Sequence, residues 1–261
     1  MNENIDVYIV RADIVPEMAR YIAHGCRLDA VLQCGDCVSA LPRAFSVLSA
    51  DEQEKARRFY RLEDGVLYVV AHAALREVLS VAGGRRAPRQ WRFARSAYGR
   101  PYLAADAFCD FNISHSWPWA VIVLCRNGRC GVDVEHPQHV GNWQSLLSDV
   151  CHENEIDSLN QRDASAEEFL HVWTAKEAVS KAIGRGLSIG FTSMEMNLRT
   201  GSLHIRGLPA QARFIHLADC LEEGTLCVAW AGPTATPLCC RIRQFDAGTG
   251  RVRHVGEQYV Q

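Results

Sequence analysis

Two hydrophobic periods alternate along this chain, and the switches between them outline its elements. Val7 to Val10 is a short apolar run that predicts a first strand. Ala30 to Val47, which holds Cys34, Gly35, Cys37 and Pro42, reads as a loop-rich stretch. Ser49 stands three residues before Glu52, the capping-box spacing, and predicts a helix running to about Arg58. In the next segment Leu67, Val70, Ala71, Ala74, Leu75, Val78 and Leu79 recur at three and four residues, the stripe of a helix facing a core. Beyond Gly83, Gly84 and Pro88 the period drops to two. Trp91 to Arg95, Phe111 to Ile113, Ala120 to Leu124 and Cys130 to Glu135 read as short strands, the last entered through an Asn127-Gly128 turn. Asn142 to Asn160 favours short helices, and a second capping box, Ser165 with Glu168, opens a helix to about Ile183. Met194 to Leu198, Leu203 to Ile205, Arg213 to Leu217, Leu226 to Ala231 and Cys239 to Phe245 alternate again, and the polar, glycine-containing segment from Asp246 to Gln261 is expected to fray. Helices and strands follow one another without a repeating strand-helix-strand unit, so the fold class is α+β rather than a doubly wound sheet.

Composition and charge narrow this picture further. With 261 residues, 48% of them hydrophobic, the chain can bury one large core or two modest ones. Lysine and arginine number 28 against 30 acids, a net charge of −2, so no global field draws the protein to nucleic acid or to a membrane, and a polyanionic ligand needs a local cluster. The apolar run from Trp117 to Cys125 is far shorter than the ~20 residues of a spanning helix and reads as a buried strand. Met1 to Asp6 carries acids and amides rather than a basic segment followed by an apolar one, so a cytoplasmic protein is expected. The cysteines number 11, an odd count in a chain of this size, and read mostly as small buried hydrophobes with reduced thiols. Cys34 and Cys37 form a C-x-x-C with His24 and Cys26 upstream, which leaves a zinc site as the alternative to a purely structural role.

Four segments carry candidate chemistry. In Gly131-Val-Asp-Val-Glu135 alternation puts Asp133 and Glu135 on one strand face and Val132 and Val134 on the other. Two carboxylates side by side suit a hard cation, although such a pair also occurs as a solvated strand edge. On the helix opened by Ser165, residues Trp173, Lys176, Glu177, Ser180 and Lys181 share one side, as a charged catalytic face or as an ordinary Glu177 to Lys181 ion pair. Phe111-Asn-Ile-Ser-His-Ser116 sets hydroxyl, imidazole and amide groups at a strand end, suited to a phosphate or to simple structural hydrogen bonding. Tyr98-Gly-Arg-Pro-Tyr102 is a turn whose Arg100 could stack on a planar ring or bind phosphate. There is neither a G-x-x-x-x-G-K-[ST] loop nor a G-x-G-x-x-G fingerprint, so the common nucleotide folds find no support.

In order and approximate spacing these four segments resemble the Sfp-type 4'-phosphopantetheinyl transferase family: the Y-G-R-P turn, the F-N-I-S-H-S strand, the G-V-D-V-E strand and the W-x-x-K-E-A-x-x-K helix, which continues into Gly184-Arg-Gly-Leu187. The likeness spans about Ser49 to Leu187. It implies an α+β pseudo-dimer of two similar halves with coenzyme A in the cleft between them, here residues 1–127 and 128–245, followed by a polar tail, 246–261. It implies transfer of phosphopantetheine from coenzyme A to a serine of an apo acyl or peptidyl carrier protein, with release of 3',5'-ADP and dependence on magnesium. By the same resemblance the magnesium ligands are Asp133, Glu135 and Glu177. Lys181, with Lys176, would balance the charge on the leaving phosphate, and Glu177, a metal-bound water or Glu155 would take the serine proton. Ser114 and His115 would hold a coenzyme A phosphate, Gly99, Arg100 and Pro101 would line the adenine, and Lys55 is a further phosphate candidate. A monomer is expected, since both halves lie in one chain. The chain departs from the family where an arginine is common after the Glu-Asp pair: it reads Gly65-Val-Leu-Tyr68, so the 3'-phosphate would rest on Arg100, His115, Lys55 or Arg61. A catalytically silent module of the same fold is the alternative, and the intact set Asp133, Glu135, Glu177 and Lys181 argues against it.

Overall fold

The computed structural model describes residues 3–12, 18–33, 40–83, 86–105, 108–161, 164–197, 202–206, 212–232, 238–247 and 249–260. Strand β1 (Glu3–Arg11) is followed by helices α1 (Met18–Ala23), α2 (Leu28–Gln33), α3 (Ala40–Val47), α4 (Ala50–Arg58) and α5 (Leu62–Gly83). Then come strands β2 (Phe93–Arg95), β3 (Pro101–Leu103), β4 (Asp110–Ser116), β5 (Trp119–Cys125) and β6 (Arg129–Glu135), and helices α6 (Leu147–Val150), α7 (Glu153–Gln161) and α8 (Ala166–Ile183). The chain ends with β7 (Met194–Asn197), β8 (Ser202–Ile205), β9 (Ala212–His216), β10 (Thr225–Ala231), β11 (Leu238–Asp246) and β12 (Arg251–Val260).

A five-stranded sheet in the order β12-β11-β1-β5-β4 packs face to face on a three-stranded sheet in the order β6-β10-β9. Strand alternation explains why. On β1 the side chains of Ile5, Val7 and Ile9 point to the seam between the sheets, while Tyr8 and Val10 point to the opposite face. On β5, Val121 and Val123 enter the seam and Ile122 and Leu124 leave it, so the strand is apolar throughout because both of its faces are covered. From the other sheet Val132 and Val134 of β6 and Leu226, Val228 and Trp230 of β10 fill the seam. α5 backs the outer face of the larger sheet and α8 that of the smaller, so each half is a sheet backed by one long helix. The pairing matches the expected α+β architecture, but the halves do not divide at 127 and 245 as expected: β11 and β12 leave the second half and join the larger sheet beside β1, where the parallel β1–β11 ladder takes up a strand edge.

Both capping boxes form: the Ser49 hydroxyl accepts from the Glu52 amide and the Ser165 hydroxyl from the Glu168 amide. α5 is long and apolar enough to cross a membrane, yet its apolar side chains, from Leu62 to Leu79, pack into the core with α3, α4, β1 and β5. Burying a side chain of this kind contributes about 1.5–3 kcal/mol, so a charge at Val66 would remove the helix from its seat. Two expectations are corrected. Within the stretch read as loop, Ala40–Val47 is a helix; Leu41, Ala44 and Phe45 face the core, and Pro42 falls in the first turn, where its missing N–H costs nothing. The segment beyond Asp246 is not a fraying tail but β12, bonded along its length to β11, while β11 lies parallel to β1. Backbone hydrogen bonds hold β12 while its side chains stay largely exposed, so hydropathy carries no sign of it. Cys34 and Cys37 lie outside the described residues. The His24 ring meets the Arg20 carbonyl at 2.7 Å, and the described cysteines are free thiols, most of them buried.

Candidate active site

The close approach of α8 to β6 builds the centre. Gly131, Asp133 and Glu135 share the face of β6 that looks onto α8, and a Cβ on Gly131 would stand 2.0 Å from the Ala178 carbonyl oxygen and 2.5 Å from the Ala182 nitrogen. Only glycine lets the helix lie this close. The helix then delivers Lys181, whose Nζ donates to Asp133 Oδ1 at 2.6 Å, to the Val132 carbonyl at 3.2 Å and to Ser114 Oγ at 3.2 Å. One turn back, Glu177 faces the same place; its pKa is raised, by desolvation first and then by Asp133, with Lys181 opposing. The helix ends on Gly184, whose φ of 82° is the left-handed cap that glycine adopts without strain.

Electrostatically the centre is an excess of acid around one ammonium. Burial pushes the Glu135 carboxyl up to about 7, and the neighbouring Asp133 charge pushes the same way, against Ser116 and Lys181. Burial opposes the charge on Lys181, but Asp133, Glu177 and Glu135 together outweigh it and its pKa is raised. Asp133 is buried, and its Oδ2 has no hydrogen-bond partner. An orphaned carboxylate oxygen between two further acids, all hard oxygen donors, fits a divalent cation such as magnesium. Among the described residues the one cluster of three potential donors within 4.8 Å is Asp110, Cys125 and Cys130, but Arg100 occupies both oxygens of Asp110, and the acids at 133, 135 and 177 are spread more widely around Lys181.

A cavity of about 740 Å³ is lined by apolar side chains that include Phe93, Pro101, Phe111 and Ile113 and by polar and basic ones that include Lys55, Tyr68, His72, Arg76, Arg92 and Arg95. Alternation along β4 places His115 on the same face as Phe111 and Ile113. Desolvation lowers the His115 pKa although the residue keeps an exposed surface, and the charges of His72, Lys181 and Lys55 add to this, so the histidine belongs to a run of basic groups. Lys55 Nζ sits 5.0 Å over the Tyr68 ring, which in turn meets the His72 ring at a tilt of 32° with centroids 4.0 Å apart. At the back, Glu52 binds Arg76 at 2.8 Å; burial alone would raise its pKa, but hydrogen bonds from His72, Arg76 and the Ser49 amide outweigh that and hold it at about 2.

Four sequence candidates stand elsewhere than expected. Lys176 is fully buried on a different face of α8 from Glu177, donating to Glu155 Oε2 at 2.5 Å and to the carbonyls of Val150 and Phe191. Glu155 is equally buried and accepts in addition from the amides of His152 and Met196, so neither residue can serve a phosphate or a serine proton. Helical spacing puts Lys176 beside Glu177 in sequence, but their side chains are 100° apart around the axis, and the hydrophobic packing of α8 decided which one is inside. Arg100 does not line an adenine: its guanidinium grips both oxygens of Asp110 and the carbonyls of Phe111, Cys130 and Lys181, joining β4, β6 and α8. Ser114 turns away from the cavity and donates to Asp133 Oδ1 at 2.9 Å, so its single hydrogen is unavailable to a phosphate. Gly99, at φ 80°, has open space where a side chain would be, and Arg61 pairs with Glu63 on the surface. We expect Arg100→Lys to lower stability by about 2 kcal/mol, roughly 4–8 °C in thermal unfolding, because an ammonium cannot replace the planar fork. A ring-binding Arg100 would instead change coenzyme affinity alone.

The sequence pattern did not single out every residue of the site. Arg92, Arg95, His72 and Tyr68 line the cavity, and the only hint was the crowding of arginines from 85 to 95 in a chain of net negative charge. Ser116, grouped by sequence with the phosphate-binding strand end, donates to Glu135 Oε2 at 3.1 Å.

Comparison with known proteins points to one family. Residues 129–230 match the family model for the 4'-phosphopantetheinyl transferase superfamily, and residues 37–127 match that for the N-terminal part of 4'-phosphopantetheinyl transferase. The chain is 30% identical over 216 residues to a 4'-phosphopantetheinyl transferase of Bacillus subtilis, covering 80% of this chain and 92% of that one. It is 29% identical over 165 residues to the 4'-phosphopantetheinyl transferase Sfp of Bacillus subtilis strain 168, covering 60% of this chain and 69% of that one. A crystal structure of a holo-(acyl-carrier-protein) synthase from Bacillus anthracis in complex with CoA (3',5'-ADP) aligns with a TM-score of 0.35 at 19% identity over 40% of this chain and 96% of that one, a likeness too slight to bear on fold or function. With two family models tiling most of its length in the order of its two halves, the chain belongs to the 4'-phosphopantetheinyl transferase superfamily.

Proposed function

We infer that this enzyme transfers the phosphopantetheine arm of coenzyme A to a serine of an apo acyl or peptidyl carrier protein and releases 3',5'-ADP. The observation that carries the reading is the convergence of Asp133, Glu135 and Glu177 on Lys181, with a basic cavity whose His72 and Lys55 act, like Lys181, on the charge of His115. The cavity takes the nucleotide, with Pro101, Phe111 and Ile113 against the adenine. Lys55, His115, Arg92 and Arg95 face its phosphates, in place of the arginine absent from Gly65 to Tyr68. Magnesium held by Asp133, Glu135 and Glu177 would supply charge neutralisation at the pyrophosphate. The serine oxygen forms a bond to the β-phosphorus, the bond from that phosphorus to the bridging oxygen breaks, and the electron pair leaves on 3',5'-ADP. Lys181 steadies the charge on the departing phosphate. With Glu155 locked in its buried pair, Glu177 takes the serine proton; desolvation holds its pKa above the usual carboxylate range, closer to that of a useful base. Both sides of the site come from one chain, which supports action as a monomer. Incubation with coenzyme A, magnesium and a panel of apo carrier proteins tests this: a mass increase of one phosphopantetheine, with release of 3',5'-ADP, is expected, and no addition to any carrier would overturn it.

The same acids give a pH dependence. A carboxyl at about 7 in the fold and 4.5 as a free acid keeps a proton between those values that the unfolded chain has lost. Stability of the metal-free protein therefore falls as pH rises from about 4.5 through 7, and divalent cation must displace that proton. Thermal unfolding is expected to show a larger stabilisation by magnesium at pH 8 than at pH 5.5. An equal increment at both values would exclude Glu135 from the ligands.

A further inference from the structure

The seam between the halves is not a continuous backbone ladder. Strand β4 meets β6 largely through side chains, using every second residue: Asp110 Oδ2 accepts from the Cys130 amide at 2.9 Å and Asn112 Oδ1 from the Val132 amide at 3.0 Å. Further along, Ser114 donates to Asp133 Oδ1 at 2.9 Å and Ser116 to Glu135 Oε2 at 3.1 Å. The first two contacts fix the register of β6 against β4. The last two reach the very carboxylates that face α8.

We propose that Ser114 and Ser116 are positioning residues for the divalent cation: each hydroxyl holds one oxygen of its carboxylate and turns the other oxygen toward the cation. The inference rests on the metal reading of Asp133 and Glu135 given above. Three observations support it. Both serines are buried, at 8% and 6% exposure, so their hydrogen bonds do not compete with bulk water. Asp133 Oδ1 takes both the Ser114 hydroxyl and the Lys181 ammonium, whereas Oδ2 takes neither and has no partner, which divides the carboxylate into one anchored and one offered oxygen. The Ser114 oxygen itself accepts from Lys181 at 3.2 Å, so serine, aspartate and lysine form a closed triangle that fixes the carboxylate plane. Partners of this kind around a metal ligand commonly account for 10–100-fold in metal affinity.

The test uses the full chain and Mn2+ as the spectroscopic probe, titrated with coenzyme A present, together with coenzyme A binding in EDTA. Ser114→Ala and Ser116→Ala are expected to weaken Mn2+ binding by about tenfold or more, to leave coenzyme A affinity in EDTA within about twofold of wild type, and Ser114→Thr to restore the Mn2+ affinity. Wild-type Mn2+ affinity in both alanine variants would overturn the inference, as would a loss of coenzyme A affinity in EDTA with Mn2+ binding intact, which would make Ser114 a phosphate contact. A wild-type protein that binds no Mn2+ would remove the metal reading itself, and this inference with it. Should Ser114→Ala unfold, Ser116→Ala at the end of the strand decides alone: weakened Mn2+ binding supports the proposal and wild-type binding overturns it.

Discussion

Asp133→Asn is expected to lower carrier-protein modification by roughly 10³-fold, about 4 kcal/mol of transition-state stabilisation, while the protein stays folded. Asparagine keeps the volume and can still accept from Ser114 and Lys181, so the triangle on Oδ1 survives in shape. What disappears is the negative charge and the unpartnered Oδ2 that the cation would claim. The substitution removes a charge that pushes up the pKa values of Glu135 and Glu177 but also takes from Lys181 the strongest of its three acidic partners, so the two effects oppose and the metal-free protein is expected to unfold within a few degrees of wild type. Initial rates by mass spectrometry and melting curves in EDTA check both halves of the expectation. Activity within tenfold of wild type in magnesium would take Asp133 out of the ligand set.

Lys176→Met is expected to do the reverse, costing about 3–5 kcal/mol of stability, a fall of roughly 10 °C in melting temperature, with little change in turnover per folded molecule. Lys176 is wholly inside the protein, where desolvation lowers its pKa more than Glu155 raises it. Removing the ammonium leaves the buried Glu155 carboxylate without its countercharge, held only by the amides of His152 and Met196, and takes their donor from the carbonyls of Val150 and Phe191. Methionine, of similar length, fills the space and restores none of those bonds. The pair ties α8 to the ends of α6 and α7 and to the turn before β7, all away from the carboxylate centre. A drop in kcat at unchanged melting temperature would place Lys176 in the chemistry instead.

These two lysines show how far a linear reading reaches. Lys176 and Lys181 sit on one helix, in one motif, with the same chemistry, and sequence spacing assigned them to a common face. The core selected between them: Ala175, Ala178, Val179 and Ala182 pack inward, and Lys176 is drawn in with them because Glu155 and two carbonyls can satisfy it there. Arg100 shows the same limit, since a turn motif records that an arginine is present and not that Asp110 ten residues later will claim its guanidinium.

Local physics was enough for much of the rest. Capping boxes at Ser49 and Ser165, the period of α5, the alternation of β4 and β6 and the pairing of Asp133 with Glu135 on one face all follow from interactions between near neighbours, and each was legible in the chain itself. Four motifs in series also marked the family. Folding alone decided what depends on residues far apart: the approach of α8 over Gly131, the divided carboxylate of Asp133, the seating of β12 on β11 and the turning of Ser114 away from the cavity. Each is a competition for hydrogen bonds and space among partners distant along the chain or on another element, and a pattern with a period of two or 3.6 holds no record of who will win it.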